Sequence, residues 1–189
     1  MGKVRIANYP MIWQMPVSLV GAWVDGRANW ATVGAFGVVC TAPVLYASLK
    51  DTHHTTRGVR ERGWFSVNVP ASDLVAEVDW CGVVSGHDAD KSKVLDWFED
   101  EAGSAPMVRR CPLNVLCRVR DTVPVEGFTL FLADIVATFF DEERLTAGEP
   151  DVRKLDPMVL LGREYFRLAE PVGRVFREGP ELQRRLERG

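Results

Sequence analysis

Several familiar signatures of chemistry are missing from this 189-residue chain. Its four cysteines, Cys40, Cys81, Cys111 and Cys117, form no Cys-x-x-Cys pair, which removes the usual zinc-knuckle and redox-disulfide patterns. They read as buried thiols. No Walker, Gly-x-Ser-x-Gly or Rossmann glycine fingerprint occurs, so P-loop enzymes, nucleophile-elbow hydrolases and doubly wound dehydrogenases lose their support. The three histidines, His53, His54 and His87, have neither His-x-x-His nor His-Glu-x-x-His spacing, and adjacent loop side chains rarely converge on one ion. No run approaches the roughly 20 apolar residues of a membrane helix. Met1 to Pro16 has no continuous apolar core of a signal peptide, so a cytoplasmic protein without a membrane partner is expected. An excess of basic charge is also lacking: with 23 basic and 26 acidic residues the net charge is -3, the wrong balance for binding a phosphate backbone, and nucleic acid is not expected as a partner.

What is present is an ordinary globular composition, 47% hydrophobic and 26% charged, in a chain long enough for one domain and too short for two large ones. From Val17 to Ser48 β-formers dominate. Leu19 to Val24 runs into Asp25-Gly26, a pair that accepts positive φ and predicts a tight type I′ hairpin. A mixed stretch follows over Ala28 to Val39, and Pro43 punctuates before a strand from Val44 to Leu49. Asp51 to Gly63 reads as a short helix stopped at glycine, followed by a strand from Trp64 to Val69 that ends at Pro70. Ser72 is expected to cap a helix carrying Leu74, Val75, Val78 and Cys81 and ending near Gly86. Leu113, Val115, Cys117 and Val119 alternate as in a half-buried strand, while Phe128 to Phe140 is apolar on both sides in its middle, as at a subunit interface. The pattern predicts a mainly β protein, a β-barrel with peripheral α-helices. The charged segment from Glu178 to Gly189 is expected to be a solvated helix or a frayed end.

The segment richest in possible chemistry is Ser48-Leu49-Lys50-Asp51-Thr52-His53-His54-Thr55-Thr56-Arg57, where a strand delivers hydroxyls and cations to the start of a helix. A helix amino terminus offers unpaired N–H groups and partial positive charge, and Lys50 or Arg57 can neutralise a phosphate. From the residues alone the plainer reading, a helix capped by Thr55 or Thr56 with solvated histidines, is the favoured one. The turn Ser85-Gly86-His87-Asp88-Ala89-Asp90-Lys91 lacks the glycine and terminal glutamate of an EF-hand, and reads as a polar turn facing a ligand.

Taken in order, several blocks resemble the flavin reductase-like family, which has an FMN-binding split β-barrel and includes the flavoredoxins. They are the Asp25-Gly26 hairpin with Asn29-Trp30-Ala31-Thr32, Pro43 with the strand ending Ser48-Leu49-Lys50, Thr55, the strand Phe65 to Pro70, the turn Ser85 to Lys91, the strands Leu113 to Val123 and Phe128 to Ile135, and Gly162 to Phe166. The resemblance covers Pro16 to Phe176. It implies a split-barrel domain over residues 1–177 with a charged tail or helix at 178–189, and FMN as cofactor. Asn29, Trp30, Ala31 and Thr32 would lie along the isoalloxazine, largely through backbone groups. Ser48, Lys50, Thr52 and Thr55 would hold the phosphate, which favours the anion reading of that segment. Ser85, Gly86 and Lys91 would close over the flavin. A homodimer is implied too.

Three positions depart from the family pattern. Phe128 stands where many reductases have a histidine thought to help place the nicotinamide, His54 where an aromatic is frequent, and Gly58 where asparagine is frequent. Phe128 could stack on a flat substrate but offers no hydrogen bond. The implied activity is an NAD(P)H:flavin oxidoreductase, with NADH or NADPH as donor and no protein nucleophile or acid, Lys91 supplying electrostatic stabilisation. The alternative is a flavoredoxin-like electron carrier that serves a redox protein partner and has no nicotinamide site. A split-barrel module that has lost flavin is the third reading.

Overall fold

The computed structural model describes residues 14–188 together with Gly2 and Arg5, so most of the Met1 to Pro16 segment and the start of the 1–177 domain lie outside the described residues. In chain order the elements are β1 (Met15–Pro16), β2 (Ser18–Val24), β3 (Arg27–Val33), β4 (Phe36–Val38), β5 (Val44–Lys50), α1 (His54–Arg62), β6 (Trp64–Val69), α2 (Val75–Val83), β7 (Trp97–Phe98), β8 (Met107–Val108), β9 (Leu113–Val125), β10 (Phe128–Phe140), β11 (Leu145–Thr146), β12 (Glu149–Pro150), β13 (Met158–Leu161), β14 (Glu164–Arg167) and α3 (Glu178–Leu186). Among the described residues no helix is long and apolar enough to cross a membrane.

Seven strands form one antiparallel sheet in the order β3-β2-β6-β9-β10-β5-β4. Two register shifts between β9 and β10, at Leu132/Ala133 and Ile135/Ala137, are the irregularities that bend long paired strands. The sheet curls until Ala31 and Val33 of β3 share a core with Leu45 and Ala47 of β5, and Val20, Phe65, Val67, Phe131 and Ala133 fill the space between. This is the half-barrel of a split barrel. The Asp25-Gly26 turn forms as expected, with φ of 51° and 75° and Val24 paired to Arg27. The same geometry closes β9 on β10 at Glu126-Gly127, a pair the sequence reading passed over.

Helix α1 stops at Gly63, whose φ of 69° lets its N–H reach the Val59 carbonyl. Its other glycine is a packing requirement: a Cβ on Gly58 would stand 2.2 Å from the Trp23 carbonyl oxygen, so α1 lies against β2 with no room for a side chain. On the far face of β3, Val78 and Cys81 of α2 pack with Trp30 and Leu74, and Thr32 Oγ1 donates to the Val78 carbonyl at 2.5 Å.

Four expectations need correction. His53 occupies the α1 cap position without a side-chain bond, so neither Thr55 nor Thr56 is the cap; both point inward and are buried. Ser72 does not cap the next helix, because its hydroxyl donates to Asp156 and accepts from Arg167. That helix ends at Val83 rather than near Gly86, its cap N–H of Val84 bonding the Trp80 carbonyl. Cys40 is exposed, on the turn before β5, while Cys81, Cys111 and Cys117 are buried free thiols.

The long connection from β7 to β9 is pinned by a buried amide network. Asn68 Oδ1 accepts from the Val108 N–H at 2.9 Å and from Asn114 Nδ2 at 2.8 Å, while its Nδ2 donates to the Leu19 carbonyl and Ser66 Oγ. Every polar atom of Asn68 is used. Asn68→Ala leaves the Val108 N–H buried without its acceptor and breaks the amide network around it, so urea unfolding should show a loss of about 2 kcal/mol with an unchanged m-value.

Candidate functional site

One cleft lies where the Asp25-Gly26 hairpin, the start of α1 and the turn after α2 meet. It has two lobes. The larger, about 460 Å³, is bounded by Asp25, Arg27, His87, Asp88 and Asp90, and the smaller, about 190 Å³, by Ala31, Thr32, Thr52, His53, Thr55 and the chain from Cys81 to Ser85. Asn29, His54, Gly86 and Lys91 line both. The combined space suits a small-molecule ligand, for which sites of about 300–1,000 Å³ are usual.

The shared wall is built from four interlocking groups. Asn29, on β3 and buried, donates from Nδ2 to Thr55 Oγ1 at 2.7 Å, joining the barrel to the first turn of α1. Gly86 lies flat on that pair: a Cβ there would be 2.2 Å from Asn29 Oδ1 and 2.8 Å from His54 Cδ2. The His54 and His87 rings meet edge to face with centroids 4.2 Å apart. Lys91 is only 3% exposed and donates from Nζ to the Trp30 carbonyl at 2.7 Å and the Cys81 carbonyl at 2.8 Å.

Charge divides the lobes. The larger has three aspartates, the smaller no carboxylate at all, and Lys91 has no carboxylate partner among the described residues. An ammonium has three N–H donors, so one remains for a ligand. The start of α1 adds partial positive charge to the smaller lobe. Burial lowers the Lys91 pKa, and burial with the nearby Lys50 and Lys91 charges lowers that of His53. His54 is lowered by burial first, then by His87 and Arg57.

Of the expected site residues, Asn29, Ala31, Thr32, Thr52, Thr55, Ser85, Gly86 and Lys91 line the cleft. Three from the same blocks do not. The Trp30 indole is buried in the core on the opposite side of β3, and its carbonyl is taken by Lys91. Ser48 and Lys50 fall with Tyr46 on the outer face of β5, opposite the inward Leu45, Ala47 and Leu49, although the Lys50 carbonyl holds Thr56 Oγ1 and the His53 N–H. Phe128 pairs with Lys50 on that outer face and lines neither lobe. His54 and His87, which sit inside the two expected binding blocks but were given no binding role, line the cleft as well.

The sequence model of the flavin reductase like domain matches residues 13–169. The crystal structure of a flavoredoxin from Methanosarcina acetivorans is 36% identical and superposes with a TM-score of 0.92 over 96% of this chain and all of that one. Flavoredoxin of Desulfovibrio vulgaris (Miyazaki F) is 28% identical, with a TM-score of 0.86 over 94% of this chain and 100% of its own. An uncharacterised protein of Pyrococcus abyssi is 25% identical over 151 residues, 77% of this chain and 86% of its own.

The contact of Gly86 with Asn29 and His54 leaves no room for a methyl group. Gly86→Ala should therefore lift the turn without unfolding the barrel: amide exchange over residues 84–92 accelerates about tenfold while β6 and β9 keep their protection.

Proposed function

The chain belongs to the flavin reductase-like domain family, and on that premise we propose that it binds FMN in the two-lobed cleft and acts as an oxidoreductase of the flavin reductase type. FMN, when bound, supplies the electron chemistry, taking a hydride equivalent from NADH or NADPH and passing electrons to an acceptor. The observation that carries the reading is Lys91: a buried ammonium with no carboxylate partner among the described residues and one donor left over, standing between an acidic lobe and one free of acidic groups. Burying a cation this way costs several kcal/mol unless something electron-rich is brought to it. The residues fit a flavin phosphate in the smaller lobe against Thr52, Thr55 and the start of α1, with Lys50 adding long-range charge from beyond the wall.

Lys91 then orients the ligand and stabilises negative charge on it, while Asn29 and Ala31 form the floor and Ser85 and Gly86 the cover. No side chain of the cleft is asked to act as nucleophile or acid.

The alternative reading, an FMN electron carrier for a redox protein partner, rests on Phe128. This ring lines neither lobe of its own chain and lacks the hydrogen-bonding capacity of a histidine. Support for a homodimer comes from the same face, where Tyr46, Leu130 and Leu132 are only half-buried, Phe128 is 42% exposed and, among the described residues, no helix makes a substantial contact with β10. A flat substrate would then meet Phe128 only where a second copy completes the site. The free buried thiols accord with a reducing, cytoplasmic setting.

The test is the visible spectrum of the purified protein with FMN, followed anaerobically by NADH and then NADPH. Bleaching by either nucleotide establishes the reductase and names its donor; flavin that bleaches only with dithionite makes the protein a carrier; absence of flavin binding rejects both. Lys91→Met, nearly isosteric, should weaken FMN binding by about tenfold while the far-UV circular dichroism is retained, as expected for loss of one charged hydrogen bond.

A further inference from the structure

The His54–His87 contact ties the first residue of α1 to the turn that covers the cleft, and neither ring has been given a part in holding the ligand. His54 is enclosed on one side by Gly86, whose added Cβ would lie 2.8 Å from its Cδ2, and on another by the His87 ring. Its Nδ1 is buried and has no hydrogen-bond partner. A neutral imidazole tolerates this by leaving Nδ1 bare and carrying its proton on Nε2; an imidazolium cannot, because both nitrogens then bear protons and one donor is buried with nothing to accept it.

The surroundings act in the same direction. His87 and Lys91 face His54 from the turn, and Arg57 from its own helix; Asp25 on the hairpin is the one carboxylate that favours the charged form. Arg27, Asp88 and Asp90 share the larger lobe with it, and His53 the smaller. Asp25 is engaged with Arg57, which reduces what it can offer.

We propose that the His54–His87 pair is an acid-sensitive clasp: while His54 is neutral it holds the Ser85 to Asp90 turn over the cleft, and protonation releases the turn and the ligand beneath it. The ligand part of this statement rests on the FMN reading; the clasp itself does not. In the closed state the His54 pKa lies below its ordinary value of 6.5, through burial first and the neighbouring positive groups second. Closure is therefore fully favoured above that ordinary value and is lost as pH falls through it toward the closed-state value.

Two measurements separate the clasp from the cofactor. In flavin-free protein, exchange over residues 84–92, corrected for the intrinsic pH dependence of amide exchange, should lose about threefold in protection between about pH 7.5 and about pH 5.5, and His54→Phe, which keeps a ring against His87 but takes no proton, should abolish that dependence. Over the same interval the dissociation constants of FMN and of riboflavin, which has no phosphate to titrate, should both rise by about threefold or more in the wild type and stay flat in His54→Phe. His87 is exposed, so His87→Ala does not threaten the fold; it should leave the turn exchanging fast at both pH values. Protection independent of pH in the wild type, or flavin affinity that tightens in acid through an imidazolium–phosphate pair, overturns the proposal. If neither flavin binds at any pH, the cofactor reading fails and the exchange data alone decide the clasp.

Discussion

The Lys91 ammonium joins β3, α2 and the turn that follows α2 at a single buried point. It enters the protein from a short turn after α2, is almost wholly removed from water, and among the described residues donates to two backbone carbonyls, of Trp30 on an edge strand and of Cys81 on α2, with the Trp80 ring 6.0 Å away. Neutral carbonyls do not cancel a charge, which is why its proton is held less firmly than that of a solvated lysine. What they do is fix position. The two bonds set the height of the Ser85 to Asp90 turn above β3, and the cleft exists because that turn stands there.

Once the turn is placed, the division of charge follows. The aspartates of the turn and the hairpin collect around the larger lobe, while the smaller is closed by hydroxyls, backbone and the start of α1. An anionic end of a ligand is thus directed to one lobe, and a hydrogen-bonding or flat portion to the rest. The protein needs no acid, base or nucleophile for such a role, since holding and polarising a redox cofactor is work for fixed dipoles and one charge.

Much of this was legible in the residues. The half-barrel strands announce themselves by β-formers bounded at Pro43, Gly63 and Pro70, and the hairpin by Asp25-Gly26; Thr52 and Thr55 lie in the segment whose hydroxyls and cations suggested an anion site, whereas Asn29, Gly86 and Lys91 followed from the family resemblance. What sequence order could not resolve is the direction of neighbours on a strand. Side chains alternate across a sheet, so the run from Asn29 to Thr32 sends the Trp30 indole into the core behind β3, and Ser48 and Lys50 share the outer face of β5 although they read as one segment with Thr52 and Thr55. The histidines escaped for another reason: their contact joins residues 33 positions apart, and only the fold brings them to 4.2 Å.

The departures at Gly58 and His54 are linked by geometry. With no side chain at Gly58, α1 settles directly on the Trp23 carbonyl, and its first turn, carrying His54 and Thr55, comes close enough for Thr55 to bond Asn29 and for His54 to lie on Gly86. An asparagine at position 58 would require the helix to back away by the depth of a side chain, because the obstacle is backbone and cannot rotate aside. The same retreat would pull His54 off His87 and open the wall between the lobes. A small residue buried beneath the helix and a titratable ring at its tip are therefore two ends of one constraint: the closeness of α1 to β2 is what brings the His54 ring over the cleft.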